Sequence, residues 1–316
     1  MKKWIITGVA LLVTGTVICT AAFAAFGFDW NKLNTTEMET NTYDVSGSFD
    51  SIRIDGDTED ISFIPAEDGK CKVVCVEEKG KPHRVNVENK TLTVSTPKER
   101  RLNWHFGLSV EESTIKVYLP ENEYEKLEIN SDTGDLDIPA DFTFDSVNAV
   151  IDTGDINCLA SANEMISIKT DTGDINVSDV AAADMELTTD TGDMKISGTE
   201  LTGSMRISCG SGDAKISDVS CTDFTGVSDT GDIKMTGVIA SGKFDLRADT
   251  GDIVFDGCDA DEITVETDTG DITGNLLSDK IFFTKTDTGS VDVPKSTNGG
   301  KCDLTTDTGD IRLSVQ

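Results

Sequence analysis

The feature that most constrains the fold is a tetrapeptide, Asp-Thr-Gly-Asp, that recurs through the C-terminal part of the chain. Two altered copies begin at Gly210 and Asp287, and the ten copies together follow one another at intervals of 19 or 20 residues. Repetition at a short fixed period is typical of repeat architectures, in which each unit is one supersecondary element and stacking closes a continuous core. The intact copies begin at Asp132, Asp152, Asp171, Asp190, Asp229, Asp249, Asp268 and Asp307.

Apolar and polar residues alternate on both sides of each tetrapeptide. With the first Asp as position zero, the side chains at +4 and +6 are apolar in nearly every copy, as at Ile175 and Val177. Those at −5 and −3 are apolar too, as at Ile166 and Ile168. Alternation with period two indicates half-buried strands. Each unit is therefore predicted to be a strand, a tight turn at Thr-Gly, a second strand and a short connection, with the glycine supplying positive φ.

Two arrangements fit this pattern, a solenoid with one coil per unit and a meander of hairpins. The constant spacing favours the solenoid, because coils of fixed perimeter have fixed length. We therefore predict an all-β chain whose residues 131–316 form a single-stranded β-solenoid or β-helix, with successive corners directly over one another in chain order. Right-handed coiling is the default for parallel strands joined by crossovers.

Residues 46–130 are also rich in strand patterns but lack a regular period. The segment Asp57–Ile61 resembles a worn copy of the repeat and lies 75 residues before Asp132, close to four periods. The region 46–130 is therefore predicted to be an irregular set of coils that caps the solenoid. A basic cluster at Lys98, Arg100 and Arg101 is interpreted as a solvated loop.

The N-terminus predicts a membrane anchor. Lys2 and Lys3 are followed by residues 4–28, which contain no charge. That stretch exceeds the roughly 20 residues of a spanning helix and the roughly 7–15 of a signal peptide's apolar core. The lysines before it orient the N-terminus inside. Residues 1–28 are thus predicted to be a single-pass transmembrane helix in the cell membrane, residues 29–45 a polar linker, and the C-terminal region extracytoplasmic. A cleavable signal peptide, with Ala22 and Ala24 at the cleavage site, is the alternative.

Composition narrows the partners and the chemistry. The chain has 58 acidic and 27 basic residues, a formal net charge of −31, which disfavours nucleic acid and anionic lipid surfaces as partners. His83 and His105 leave little for imidazole-based catalysis or a histidine-rich metal site. The eight cysteines are interpreted as small buried thiols rather than disulfides. No catalytic, cofactor-binding or metal-binding residue is predicted.

Enzyme activity is not expected. Asp-Thr-Gly is also the active-site triplet of aspartic proteases, but those enzymes need two triplets facing each other so that paired carboxylates share a proton. Tandem copies would line one edge instead. The alternative is a carbohydrate-active enzyme, a lyase or hydrolase, since related β-helices host such sites. The uniform repeats and short connections argue against a catalytic cleft.

Two positions, zero and +3, are each aspartate in nine of the ten tetrapeptides, and both have outward parity. Stacking then makes two carboxylate ladders, in which neighbouring charges cost on the order of 1 kcal/mol each in water. The preferred interpretation is that each Asp caps its own turn. No cofactor is predicted; the weaker alternative is calcium bridging neighbouring carboxylates, because hard cations take oxygen ligands.

The chain resembles the bacterial membrane-anchored "putative adhesin" β-strand-repeat proteins, a cell-envelope domain family of unknown function. The resemblance covers roughly residues 43–316 and is carried by Phe49–Ile54, Val117–Pro120, Tyr124–Leu127 and the tetrapeptide copies. It implies a surface or sensing role without defining a ligand. Since solenoid faces are broad and ordered, we expect a non-enzymatic adhesin or scaffold with an envelope protein or glycan as ligand. An accessory subunit of a membrane sensor kinase is a further option.

Overall fold

The computed structural model describes residues 14–17, 20, 37–96 and 112–316. Residues 14–17 and 20 are helical, and the remaining regular elements are β-strands. Within these ranges no helix has the length and apolar character needed to cross a bilayer. Most of the predicted anchor at residues 1–28, and the basic cluster at Lys98, Arg100 and Arg101, lie outside the described residues.

The strands form two sheets. Sheet I contains β1 (Met38–Asp44), β3 (Asp60–Pro65), β4 (Lys72–Glu78), β7 (Thr114–Leu119), β9 (Leu136–Ile138), β11 (Ile156–Cys158), β13 (Ile175–Ser178), β14 (Ala181–Ala182), β16 (Met194–Leu201), β18 (Ala214–Cys221), β20 (Ile233–Thr236), β21 (Ile239–Ala240), β23 (Ile253–Cys258), β25 (Ile272–Leu276), β27 (Val291–Asp292) and β29 (Ile311–Val315). Sheet II contains β2 (Ser51–Asp55), β5 (Arg84–Glu88), β6 (Thr91–Ser95), β8 (Glu123–Thr133), β10 (Thr143–Thr153), β12 (Ser161–Thr172), β15 (Asp184–Thr191), β17 (Ser204–Ser211), β19 (Asp223–Thr230), β22 (Lys243–Thr250), β24 (Glu262–Thr269), β26 (Lys280–Thr288) and β28 (Gly300–Thr308).

Each repeat unit makes one coil. The chain runs along a strand of sheet II, turns at the tetrapeptide, and returns along a strand of sheet I. Neighbouring strands are parallel and one repeat apart, as where Met185 of β15 pairs with Met205 of β17, and Met194 of β16 with Ala214 of β18. A meander of hairpins would pair antiparallel strands, so the prediction of an all-β solenoid is confirmed.

The core lies between the two sheets and follows the predicted parity. Ile175 and Val177 of sheet I face inward together with Ile166 and Ile168 of sheet II, and all four are buried. Their rows continue along the solenoid, because parallel strands in register place equivalent side chains above one another. Burial of these rows supplies the main drive for folding, at about 25 cal/mol per Å² of apolar surface. Phenylalanines also belong to the core, as at Phe224 and Phe244, whose ring centroids lie 6.0 Å apart.

The last two coils do not stack in chain order. Strand β28 lies between β24 and β26, and β29 lies between β25 and β27. The coil of residues 280–292 is therefore the outer one, and residues 300–316 return to fill the place beneath it. The prediction that successive corners lie over one another in chain order is wrong here. The inward side chains explain this order. Strand β26 carries the polar Thr284 where its neighbour β28 carries the apolar Leu304. The coil at the end of the solenoid is covered on one side only, so the less apolar coil lies there.

The N-terminal strands extend the same two sheets. Strand β3 pairs in parallel with β9 and with β7, while β4 is antiparallel to both β7 and β1. In sheet II, β2 pairs in parallel with β8 and β6, and β5 is antiparallel to β6. Met38–Asp44, which the sequence analysis assigned to the polar linker 29–45, forms β1. The linker is thus shorter at its C-terminal end than predicted, because β1 finds a partner in β4.

Candidate functional site

The tetrapeptide turns stack into a column along one edge of the solenoid. This corner column consists of residues 57–60 followed by the ten tetrapeptides. At each level the glycine N–H donates to a carbonyl of the adjoining coil, as from Gly173 to Thr191 at 2.9 Å. The close approach excludes side chains at this position. A Cβ added to Gly192 would lie 2.1 Å from the carbonyl oxygen of Gly173, and Gly192 has a φ of +144°. Glycine is thus required for two independent reasons.

The aspartates at +3 form hydrogen bonds between coils. The backbone N–H of Asp193 donates to Oδ1 of Asp174 at 2.7 Å, and the same bond recurs along the column with lengths of 2.6–3.2 Å. The prediction that each Asp caps its own turn is wrong for these residues. The carboxylate reaches the next coil because stacking brings the equivalent N–H of that coil within hydrogen-bonding distance.

An inward hydroxyl at position −1 completes the corner. Thr189 is buried, and its hydroxyl donates to the carbonyl oxygen of Gly173 in the preceding coil at 3.1 Å. Where the residue is Cys209, its Sγ lies 3.4 Å from the carbonyl oxygen of Gly192. The glycine carbonyl thereby gains a partner inside the core, where an unpaired acceptor would cost about 1–3 kcal/mol.

The altered copies follow the same rules. The copy in the middle of the column replaces the zero-position Asp by Gly210 but keeps the glycine and the +3 aspartate. The copy at the C-terminal end of the column has Ser290 at +3, where it donates to Asp310 and caps no further coil among the described residues. Residues 57–60, at the N-terminal end of the column, have Glu59 in place of glycine, and Oδ1 of Asp60 accepts the backbone N–H of Asp135. Each departure thus falls where the stacking does not need the usual residue.

The two ladders should therefore respond differently to mutation. We expect Asp193→Ala to lower the free energy of unfolding by about 1 kcal/mol more than Asp190→Ala, because only Asp193 accepts a hydrogen bond from the next coil. Both variants remove one charge from neighbouring exposed positions, so the relief of repulsion largely cancels in the comparison. Urea denaturation of the two variants measures the difference. Equal midpoints and slopes would contradict a distinct role for the +3 carboxylates.

Glu59 directs its carboxylate into the interior at the N-terminal end of the corner column. Its side chain is only 5% exposed. One carboxylate oxygen accepts the backbone N–H groups of Asp57 at 2.7 Å and Thr58 at 3.1 Å, and the other accepts the hydroxyl of Thr96 at 3.2 Å. Glu59 lies next to His83, Cys75 and Glu77, and we refer to these four residues as the cap cluster.

His83 bridges the two glutamates of the cap cluster. Its Nε2 lies 3.1 Å from Oε1 of Glu59, and its Nδ1 contacts Oε2 of Glu77. The backbone N–H of His83 also donates to Oε2 of Glu77 at 2.7 Å. The side chains of His83 and Glu77 are 2% and 1% exposed, respectively. The bridge therefore lies in the protein interior, where each polar contact is worth more than in water.

Glu77 and Cys75 come from one strand. Both occupy inward positions of β4, where the alternation would place apolar residues, and Cys75 is fully buried. Oε1 of Glu77 accepts the Tyr43 hydroxyl at 2.7 Å and the Asn41 amide at 2.6 Å. One donor atom from each of Cys75, Glu77 and His83 can be chosen so that all three lie within 4.8 Å of one another.

The neighbours of the cap cluster shift its protonation equilibria. Burial acts to lower the pKa of His83, but hydrogen bonds with Cys75, Glu59 and Glu77 outweigh it and raise that pKa to about 10. Burial acts to raise the pKa values of Glu59 and Glu77, yet their hydrogen bonds, including those with His83, leave both pKa values below the usual range. Without another cation, the cluster therefore holds an imidazolium between two carboxylates at neutral pH.

Sequence reasoning missed this site. The sequence analysis predicted no functional role for His83, because the chain has only two histidines. The fold brings His83 into contact with two carboxylates. Two signals were present in the sequence: Glu59 at a glycine position of the repeat, and Glu77 at an inward position of a strand. His105, the other histidine, lies outside the described residues.

The interpretation of the cysteines as buried thiols is confirmed for the described part of the chain. The seven cysteines there are free; Cys71 is half-buried and the others are buried. Burial raises the pKa values of Cys158 and Cys302 to about 12, which keeps both thiols protonated and unreactive.

The chain is similar to one protein family and to several solved structures. The sequence model of the Toastrack DUF4097 family matches residues 49–225 and 203–316. No protein of curated function matches the chain. A solved "putative adhesin" of Bacteroides fragilis is 13% identical, with a TM-score of 0.41 over 88% of this chain and 97% of that one. A "putative lipid binding protein" of Parabacteroides distasonis is 18% identical, with a TM-score of 0.46 over 78% of this chain and 98% of that one.

Proposed function

Because the chain belongs to the Toastrack DUF4097 family, we propose that it is a non-enzymatic adhesin or scaffold of the bacterial envelope, displayed outside the cell membrane. Its apolar residues 4–28 would hold it in the membrane as a single-pass anchor, with Lys2 and Lys3 inside. The net charge of −31 keeps such a displayed solenoid soluble and away from anionic lipid.

The observation that carries this proposal is the repetition of outward side chains on sheet I. Lys195 pairs in register with Lys215, and Lys215 with Lys234, so that three exposed lysines stand in one row. In the same row, the Asn176 amide donates to Oδ1 of Asn157 at 2.7 Å. Strand spacing places neighbouring side chains of the row about 4.8 Å apart. A repetitive face offers the same contact several times, which suits a repetitive envelope glycan or protein through avidity.

Charge next to this row adds to its binding chemistry. Lys215 and Lys234 form ion pairs with Asp213 at 3.5 Å and Asp232 at 2.8 Å, respectively. Ammonium donors therefore lie beside carboxylate acceptors on this face. Sugar hydroxyls both donate and accept hydrogen bonds, so a glycan can use both kinds of group.

Binding to envelopes tests the proposal. We expect the full-length protein to sediment with isolated envelopes of the bacterium that makes it, and the triple variant Lys195→Ala, Lys215→Ala, Lys234→Ala to bind roughly 100-fold more weakly because repeated contacts are lost together. The matched control removes three positive charges elsewhere, through Lys126→Ala, Arg247→Ala and Lys301→Ala. Equal losses of binding in the two triple variants would show that net charge alone causes the loss, and would contradict a binding role for the lysine row.

The same preparation distinguishes the alternatives. Release of soluble saccharide from the envelopes would contradict a non-enzymatic role and favour a lyase or hydrolase. The mass of the native N-terminus, combined with protease treatment of intact cells, tests the anchor. We expect an uncleaved chain that external protease removes; a protected product would reverse the proposed topology.

A further inference from the structure

We propose that the cap cluster is a metal site, in which Cys75, Glu77 and His83 bind one divalent zinc ion and Glu59 positions His83. The three donor atoms lie within 4.8 Å of one another, and all three residues are buried. Thiolate sulfur, imidazole nitrogen and carboxylate oxygen are the donors that zinc takes, at about 2.0–2.3 Å. In a tetrahedral site, donor atoms at those distances from the ion lie about 3.3–3.8 Å from one another. Nδ1 of His83 and Oε2 of Glu77 are in direct contact, so these two side chains would separate to admit the ion between them and Cys75.

The surrounding hydrogen bonds orient each ligand. His83 directs Nε2 to Glu59 at 3.1 Å, which leaves Nδ1 on the side of Glu77. A carboxylate on the second ring nitrogen is the usual support of a metal-binding histidine. Glu77 has one oxygen held by the Tyr43 hydroxyl at 2.7 Å, so that Oε2 is the oxygen facing His83. Three protein ligands leave one position of a tetrahedral zinc ion for water.

Zinc would bring positive charge into a buried acidic site. Zinc takes thiolate sulfur and neutral imidazole nitrogen, so any protons on Sγ of Cys75 and Nδ1 of His83 leave to solvent when the ion binds. The two positive charges of the ion then face the carboxylates of Glu59 and Glu77, which are costly to bury without a charged partner.

The positions of the acidic residues provide a second, independent observation. Glu59 stands at a position that every tetrapeptide gives to glycine, and Glu77 occupies an inward position of β4. Buried carboxylates are costly unless they are paired or coordinate a metal. Cys75 shares the inward face of β4 with Glu77 and hydrogen-bonds His83, so a thiol, a carboxylate and an imidazole meet at one buried point.

Metal content tests the proposal in the full-length protein. The chain is unfolded with chelator, refolded in detergent with Zn²⁺, dialysed, and analysed by atomic emission. We expect one zinc per chain, an at least tenfold lower zinc content in Cys75→Ser, and no change in Cys302→Ser, which alters a buried thiol outside the cluster. Glu59→Gln should weaken zinc binding 10- to 100-fold, since it removes the partner of Nε2.

Cobalt provides a readout that does not depend on a variant's folding. The wild-type protein refolded with Co²⁺ should show the near-ultraviolet charge-transfer band of a thiolate–cobalt bond, and Cys302→Ser should retain it. Absence of the band in the wild type, or zinc retained equally by Cys75→Ser and the wild type, would overturn the proposal. The cap cluster would then be a purely structural imidazolium–carboxylate bridge.

Discussion

Gly231→Ala is expected to prevent the solenoid from folding, or to lower its free energy of unfolding by more than about 4 kcal/mol. A Cβ at this position would lie 2.0 Å from the carbonyl oxygen of Gly212, and the residue has a φ of +136°. The neighbouring corner cannot move away, because Gly231 donates to Thr250 and Gly212 donates to Thr230. Soluble yield and urea denaturation followed by circular dichroism measure the effect.

Gly257→Ala is the matched control. Gly257 also has a positive φ, +64°, but an added Cβ would meet no atom within 4 Å. Only the backbone strain remains, at about 1–2 kcal/mol. A loss at Gly231 no larger than that at Gly257 would contradict the steric origin of the glycine column and leave conformational preference as the sole reason for glycine.

The expected effect is large because the corners are coupled. In a solenoid each coil contacts only its neighbours, so stability is approximately a sum of coil terms and interface terms. A coil displaced at its corner loses the interfaces on both sides. A substitution at the middle of the column therefore costs more than one at its ends, where Glu59 is tolerated in place of glycine.

The local sequence predicts the structure of each coil but not which coils stack next to it. The positions of Ile166, Ile168 and Ile175 relative to the tetrapeptide decide which side chains face inward, and this part of the fold follows from parity alone. Any two corners can stack, however, because every tetrapeptide offers nearly the same donors and acceptors. Ser290 indicates that its coil ends the column, because Ser290 lacks the carboxylate that accepts the N–H of a further coil. This inference requires knowing the role of the +3 aspartate.

The cap cluster was harder to predict for a different reason. His83 lies in the connection between β4 and β5, Glu59 precedes β3, and Glu77 belongs to β4. No repeat relates one of these strands to the next. Without a repeat, the spacing of residues in the sequence does not predict which of them lie side by side on neighbouring strands. The unusual residue types at two inward positions could have indicated a buried polar site, but only the fold shows that they share one histidine.

Deletion of residues 300–316 is expected to unfold the coil of residues 280–292 as well. Within the described ranges, β26 pairs with β28 and β27 with β29, so the coil of residues 280–292 rests on the segment that is removed. Without it, strand β26 loses its pairing, and its inward Thr284 is poorly suited to take the vacated place against the apolar row. Limited proteolysis with mass analysis should show cleavage throughout residues 281–299.

A second deletion, of residues 281–316, is the control, and it keeps Ser278 and Lys280, which bond Asp259 of an inner coil in both truncated chains. If the last coil lies beneath its predecessor, both truncated chains should unfold at the same temperature, since both end their folded part at β25 (Ile272–Leu276). A solenoid stacked in chain order predicts the opposite: deletion of residues 300–316 would remove the outermost coil alone, leaving residues 280–292 protected. Protection of that segment, or a higher melting temperature of the longer chain, would contradict the observed order of the strands. The comparison thus separates two topologies that have the same repeats and the same inward residues.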